Sequence, residues 1–531
     1  MLRTQQDYAI DLQADVLIIG GGPAGSWAAI TAAAQGAKAV LVDKGYCGTS
    51  GAAATSGSGI IYTEPVADIR DEAIRSRYEL GGRLSDPTWS QRVLEQTYRN
   101  MHNLHRWGYP FPQGDDGAPY LRSVQGPEYM RLMRKLVRKA GVAILDHSPA
   151  LELLADEHGV GGAIGTRLQA GGLWRVRADA VVIASGGCAF LSKALGTNVL
   201  TGDGYLFAAE AGAIMSGMEF SNAYYISPTF SSVTKGAFYR FGTFYYEDGT
   251  VIEGADAQRG KAVIARTLQQ QPVYCRLDKV PEKAKPLLRY SQSNFFLPFE
   301  RFGIDPFTQL FPVTLRFEGT VRGTGGINLV DASCATGVPG LYAAGDAATR
   351  ELICGGATGG GSHNSAWAMS SGVFAGEGAA HYALGLRGSA SRRALRPLSD
   401  SAIVASEPES HTSRTGSTRW EEYTAAVQDE VTPYERNLFR TGDKLEGSLG
   451  RLEHVWRQIC GESEPATRKS RQVQAMAATA RWMYASALTR TESRGMHRRE
   501  DCKLTDSAQQ RRLLSGGLDS VWVRPLETKE G

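Results

Sequence analysis

The run Ala14-Asp-Val-Leu-Ile-Ile-Gly-Gly-Gly-Pro-Ala-Gly25 leaves the chain few ways to fold. Val16 to Ile19 are apolar and largely β-branched, which predicts a buried strand, and the glycines that follow stop it at Gly20. Gly20, Gly22 and Gly25 fall on the G-x-G-x-x-G spacing. Each lacks a side chain for its own reason: a tight turn, close approach of backbone to a pyrophosphate, and close packing of helix on strand. The alanine-rich run Ala24 to Ala37 predicts a helix whose first amides can point at phosphate. A second strand, Ala39-Val-Leu-Val-Asp43, ends in an acid eighteen residues past Gly25, where a ribose hydroxyl is expected. The chain is built around a dinucleotide.

Two further strands end in glycine. Asp179-Ala-Val-Val-Ile-Ala-Ser-Gly-Gly187 brings Ala184 and Gly186 toward the same ligand, and Pro339-Gly-Leu-Tyr-Ala-Ala-Gly-Asp346 ends on Gly345 and Asp346. A carboxylate at the end of that last strand suits a ribityl hydroxyl. Separated strand-to-glycine signals describe one sheet holding one long ligand, which fits FAD better than NAD.

Between the first strands and these lies Lys44 to Gly59, rich in Gly, Ala, Ser and Thr, read as too flexible and polar for a packed helix. Within it Lys44, Thr49, Ser50 and Gly51 are candidate cofactor contacts. Asp86-Pro87 predicts a helix start, and the spacing of Trp89, Val93, Thr97, Met101 and Leu104 carries that helix to Gly108. Glu128 to Ala140 reads as another. From Val142 to Arg177 short antiparallel strands are expected.

The 531 residues allow two to four compact units, and 42% hydrophobic content is ordinary for a soluble protein. A net charge of +3 argues against nucleic acid and against an anionic membrane as partners. The N-terminus has no apolar core of signal-peptide length and no eighteen-residue apolar run occurs, so a cytoplasmic location is expected. The seven cysteines are scattered, with no C-x-x-C pair, and indicate neither an iron–sulfur cluster nor a disulfide framework.

These residues resemble the flavoprotein subunits of fumarate reductase and succinate dehydrogenase, with L-aspartate oxidase as the soluble relative. Beyond the glycine-ended strands, the resemblance rests on Thr201-Gly-Asp-Gly204 with Asp203, on Ala211-Gly212, on Met218-Glu-Phe220, on Gly323-Thr-Gly-Gly-Ile327 and on Asn364-Ser365. It rests most specifically on Arg490-Thr-Glu-Ser-Arg-Gly-Met-His-Arg-Arg-Glu-Asp501, which looks like the family's R-x-E-S-R-G-x-H-x-R-x-D signature. The resemblance implies an α/β fold with a glutathione-reductase-like, Rossmann-type FAD domain, an inserted α+β capping domain and a C-terminal helical domain. Residues 1–222 and 326–384 are expected to form the FAD domain, 223–325 the cap, 385–417 a linker and 418–531 the helical domain. Composition agrees. Residues 222 to about 325 are rich in aromatics and turns, read as a lid core, and 385–417 is rich in Ser, Arg and Pro. The arginines of the C-terminal helical stripes read as a solvated face.

Flavin chemistry needs a positive field near N1 and the C2 carbonyl. The glycine-rich tract from Cys354 to Asn364-Ser365 offers it, because Asn364 and Ser365 start a helix and the family places its flavin-facing helix at the matching Asn-Ser. His363 beside them is a candidate acid or base, or a residue that caps the turn. By resemblance Arg259 matches the family's proton-delivering arginine, although glycine follows it in place of aspartate.

Other family residues are replaced. Serine stands before the proline in Phe220-Ser-Asn-Ala-Tyr-Tyr-Ile-Ser-Pro-Thr229 where the family has histidine, Val321-Arg-Gly-Thr-Gly-Gly326 lacks the second histidine, and the carboxylate-clamping arginine is absent from a glycine-rich tract. Succinate, fumarate and aspartate are therefore not the expected substrates. Tyr224, Tyr225 and Arg322 are the candidates for a different polar edge. No histidine occurs in Lys44 to Gly59, where respiratory members attach flavin covalently, so non-covalent FAD is expected.

Three functions remain open on the sequence. One is an FAD-dependent dehydrogenase or oxidase moving a hydride from a small polar metabolite, with oxygen or another diffusible acceptor. Another is an electron-transfer subunit docked on an iron–sulfur partner chain, as in succinate dehydrogenase or adenylylsulfate reductase. The last is a flavin-binding scaffold without turnover. Homo-oligomerisation is left open as well.

Overall fold

A computed structural model describes residues 7–114, 116–234, 237–257, 260–386, 393–399, 403, 418–462 and 465–527. The fold is α/β, organised on one mixed sheet. Tyr8–Ile19 runs parallel to Ala39–Val42 on one side and to Leu173–Ile183 on the other. Ala143–Leu145 extends the parallel edge beyond Ala39–Val42, and Leu341–Ala343 lies parallel to the end of Leu173–Ile183. The registers align Ala343, Ile183, Ile19, Val42 and Leu145 in one row at the carboxyl ends of five parallel strands. That row is the rim at which an open parallel sheet takes its ligand.

Ala143–Leu145 was expected to be antiparallel and is parallel, because a helix at Gly126–Lys139 carries the chain back over the sheet before it. A crossover of that kind returns the strand in the same direction. The antiparallel expectation holds for Ala150–Asp156 and Gly159–Thr166. Helices Pro23–Ala34 and Ser362–Leu386 pack on each other; a Cβ on Gly372 would lie 2.4 Å from the Ala24 carbonyl oxygen and one on Gly376 2.4 Å from that of Ala28, so small residues set the spacing.

Lys44 to Gly59 is more ordered than its composition suggests. Gly51–Ala54 forms one helical turn and Gly57–Gly59 pairs with Ser123–Gln125. Neighbours supply the order that composition alone does not: Ala53 and Ser56 pack so closely on Gly126 that a Cβ there would lie 2.0 Å from the Ala53 oxygen.

The cap is an antiparallel sheet of Ala223–Pro228, Phe311–Glu318, Val273–Arg276 and Thr243–Tyr245. Its core is aromatic: Phe238, Tyr239, Phe295, Phe296, Phe299 and Phe311 are buried against one another. Most of 385–417 lies outside the described residues, but Arg396–Pro397 pairs with Leu154–Ala155 and joins the main sheet.

Helices Thr418–Val431, Gly442–Cys460 and Arg468–Thr489 follow. The chain then returns as Leu513–Gly516 and Trp522–Pro525, a hairpin that pairs with Met215–Ser216. The arginines expected on a solvated face are instead largely buried. Arg471 forks onto Glu210, Arg481 onto Glu453, and Arg490 lies between Glu219 and Glu492. An acid from another element makes each burial tolerable, since a buried charge needs a partner. The family-like run Arg490 to Asp501 thus meets the family-like Met218-Glu-Phe220 in space. Among the described residues no helix is long and apolar enough to cross a membrane.

Candidate functional site

A cavity of about 430 Å³ opens along the carboxyl rim of the sheet. Gly20, Gly22 and Ala24 line it from the first turn, Asp43, Lys44, Ser50 and Gly51 from the segment after the second strand, and Ala184, Gly186 and Asp203 from the third strand and the helix it leads to. Gly345, Asp346, Asn364 and Ser365 complete the far wall. Two candidates lie outside it. Gly25 packs under the turn, where a Cβ would sit 1.8 Å from the Gly20 carbonyl oxygen, and Thr49 is exposed and donates to the Tyr46 carbonyl at 3.4 Å.

The wall has the features a dinucleotide requires. Gly20 stands at φ +109°, and a side chain there would collide with Ala184. A Cβ on Gly22 would meet no protein atom within 4 Å and would point into the open. Helix Pro23–Ala34 begins there with no side-chain cap and no acid in its first turn, so its amides remain for an anion. Asp43 accepts from the Gly21 amide at 2.6 Å, the Gly45 amide at 2.7 Å and the Ser50 hydroxyl at 2.8 Å. A carboxylate has about four acceptor positions, so one remains for a sugar hydroxyl. Lys44 bonds Asp203 at 2.8 Å. Ser185 Oγ and Asn364 Oδ1, both of lining residues, are buried with no hydrogen-bond partner among the described residues. Buried polar atoms of this kind call for a ligand.

At the other end the glycine tract is tied to the cap through Thr358. Its hydroxyl donates to the Arg322 carbonyl at 2.8 Å and pairs with Tyr225 Oη at 2.8 Å, while Arg77 donates to its carbonyl at 2.6 Å. Asn364 Nδ2 donates to the Val321 carbonyl at 3.3 Å, which sets the start of the long helix beside Arg322. Arg322 lines the cavity, donates Nε to the fully buried Glu318 at 3.0 Å and lies 4.7 Å above the Tyr225 ring. Burial works against this cation, but Glu318, Tyr225 and Asp346 outweigh it and hold its pKa above the ordinary value. Among the described residues, Nη1 and Nη2 of Arg322 make no hydrogen bond.

The remaining candidates are placed differently. Tyr224 points away from the cavity, and its hydroxyl reaches the carbonyls of Val431 and Thr432. Tyr225 lies outside the lining residues; its hydroxyl is paired with Thr358 and Lys261 Nζ lies 4.0 Å from its ring centroid. His363 lies in the first turn of helix Ser362–Leu386, outside the lining residues. Burial, with help from the Arg77 charge, lowers its pKa to about 3, so the ring is neutral near pH 7. Arg259 lies outside the described residues. Serine 227, where the family has histidine, is buried and its hydroxyl donates to the Ser231 carbonyl at 2.9 Å.

Sequence reasoning missed Arg468 and Gln472, which line the cavity from the C-terminal helix. Nothing local distinguishes them, because their place depends on how that helix docks.

Comparison with known proteins identifies the domains. An FAD binding domain model matches residues 15–229, and a fumarate reductase flavoprotein C-terminal model matches 434–513. The chain therefore carries an FAD binding domain followed by a fumarate reductase flavoprotein C-terminal region. It is an FAD-dependent oxidoreductase. It is similar to a fumarate reductase flavoprotein subunit of Mycobacterium tuberculosis, 27% identical over 421 residues and 70% of each chain. It is also similar to the L-aspartate oxidase of Streptomyces coelicolor, 24% identical over 374 residues, 64% of this chain and 63% of the relative. The fold matches an E. coli quinol fumarate reductase structure with a TM-score of 0.78, at 21% identity over 98% of both chains.

Proposed function

We propose that this flavoprotein exchanges a hydride between a carbon of a small polar metabolite and an FAD held without a covalent bond. The flavin, when bound, supplies the two-electron chemistry. The residues at the Arg322 end of the cavity supply orientation and charge. Arg322 offers two guanidinium nitrogens that make no hydrogen bond among the described residues, where an anionic oxygen would be received, and the Glu318 pairing keeps that guanidinium fixed. Asn364 lies in the first turn of helix Ser362–Leu386, whose positive backbone end is there. That adjacency of Arg322 and Asn364 carries the proposal.

Around this point the family's dicarboxylate equipment is replaced. Ser227 is committed to a backbone carbonyl and no arginine occurs from Cys354 to Ser362, so the substrate carries at most one anionic group at Arg322. Proton delivery is assigned to Arg259, which precedes the helix Lys261–Leu268; Lys261 of that helix donates to the Tyr224 carbonyl at 3.2 Å, at the foot of the cap. His363, neutral and outside the lining residues, is assigned to holding the glycine tract. The missing histidine in Lys44 to Gly59 supports dissociable FAD.

Mixing the protein anaerobically with amines, amino acids, hydroxy acids and enones tests the reading. Bleaching or recolouring of the flavin by a monoanionic substrate is expected, slowed in Arg322→Met and Arg259→Ala. A flavin indifferent to every member of the panel would refute turnover and leave a binding scaffold.

A second reading is an electron-transfer subunit with an iron–sulfur partner chain. It is supported by the M. tuberculosis relative, which is a subunit by name. Co-purification with an iron–sulfur protein from the native source would establish it, and an isolated chain that turns over with a diffusible acceptor or oxygen would exclude the need for it.

A further inference from the structure

The cavity has two chemically different ends. Arg322 and Asn364 mark one, and Pro149, Ala150 and Leu168 line the other, beyond the ribose acid Asp43. A dinucleotide laid past Gly22 with its ring system at Asn364 places its adenosine half at Ala150.

Helix Arg468–Thr489 meets the cavity at that second end. It opens with a capping box: Ser470 N–H donates to Thr467 Oγ1 at 3.2 Å, and Thr467 N–H donates to Ser470 Oγ at 2.9 Å. Arg471 in its first turn is 6% exposed, forks onto Glu210 at 2.6 and 2.7 Å, and donates Nε to the Leu151 carbonyl at 2.9 Å. Leu151 follows Ala150, and Glu210 ends the helix that Asp203 begins. Arg471 therefore bolts the helix to two elements that themselves build the cavity wall. Arg468 and Gln472, four residues apart and so on one face, both line the cavity.

We propose that Arg468 and Gln472 hold the adenosine half of FAD, so that cofactor retention depends on docking of the C-terminal helix. The inference rests on the FAD reading of the cavity. A guanidinium stacks on a purine face and a primary amide can both donate to and accept from a purine edge, so the residue types suit that end. In a chain without a covalent flavin tether, these contacts add to those of the glycine turn.

The test is equilibrium titration of the full chain, stripped of flavin, with FAD, FMN and ADP, followed by flavin fluorescence. In the double variant Arg468→Ala/Gln472→Ala, FAD affinity should fall roughly tenfold and ADP should lose its ability to compete, while FMN affinity stays within about twofold. FMN lacks adenosine, so its unchanged binding also shows that the variant is folded. The single variant Gln472→Ala should give a smaller loss of the same kind. Unchanged FAD affinity, or equal weakening of FAD and FMN, would overturn the assignment. A wild-type chain that bound neither FAD nor ADP would overturn the cavity reading and the assignment together, which is a distinct result.

Discussion

The Tyr224 hydroxyl donates to the Thr432 backbone carbonyl at 2.9 Å, and through it the cap is fastened to the C-terminal helices. Val431 offers a second carbonyl at 3.1 Å, Tyr434 Oη returns a bond to Leu315 at 3.0 Å, and Asn222 Nδ2 reaches the Met496 carbonyl at 3.1 Å. None of Tyr224, Tyr434 and Asn222 is among the residues that line the cavity. Tyr224→Phe leaves these carbonyls short of a donor inside the protein, and is expected to lower stability by about 1–2 kcal/mol without changing substrate KM. Urea denaturation and steady-state kinetics check both halves, and a raised KM would return Tyr224 to the substrate site.

Arg322 and Glu318 form a buried pair, so removing one partner strands the other. Arg322→Met should cost roughly 3–5 kcal/mol of stability and slow flavin reduction by about 10²-fold. Adding Glu318→Gln should recover most of the stability but not the rate. Recovery of the rate in stopped-flow reduction would show that Arg322 only supports the wall.

His363 titrates near pH 3 when folded and near 6.5 when unfolded. Between those values the unfolded chain binds the extra proton, so stability is full above pH 6.5 and falls as pH drops toward 3, at up to about 1.4 kcal/mol per pH unit. His363→Gln should flatten that slope in denaturation curves taken from pH 7 to 4. Because the ring is neutral throughout the neutral range, the same variant should leave any limb of the rate profile near pH 6.5 in place.

Gly22 and Gly25 separate folding from binding. Gly22→Ala adds a methyl that touches no protein atom, so the flavin-free melting temperature should hold while FAD affinity falls. Gly25→Ala drives a methyl to within 1.8 Å of the Gly20 oxygen and should destabilise the flavin-free chain itself. Melting curves with and without FAD distinguish the two, and equal behaviour would contradict the turn geometry.

Arg490→Met leaves Glu219 and Glu492 buried without their shared cation and should cost about 3–5 kcal/mol or abolish soluble expression. Arg498, in the same run of sequence, is exposed and among the described residues donates only to the Gly495 carbonyl at 3.1 Å. Arg498→Ala should change the melting point little, by less than the equivalent of ~0.5 kcal/mol.

What could be read from the residues was local. Glycine spacing defines a turn within six positions, an apolar β-branched run defines a strand, and an acid at the end of the next strand lies where its neighbours put it; all of these follow from short-range sterics. The FAD domain and most of its wall are therefore legible in the chain. The antiparallel reading of Ala143–Leu145 and the unstructured reading of Gly51–Ala54 failed because direction and order there come from packing against other segments.

By itself, the sequence determined that glycine-ended strands and an acid would meet at one edge of a single sheet, and that the segment after residue 222 would have an aromatic core. Only the tertiary structure decided which arginines are buried, which way Tyr224 points and which helix closes the far end of the cavity. The reason is separation along the chain. Arg490 and Glu219 are 271 positions apart, Arg471 and Glu210 are 261 apart, and a charge meeting its partner across such distances leaves no periodic trace in the residues beside it.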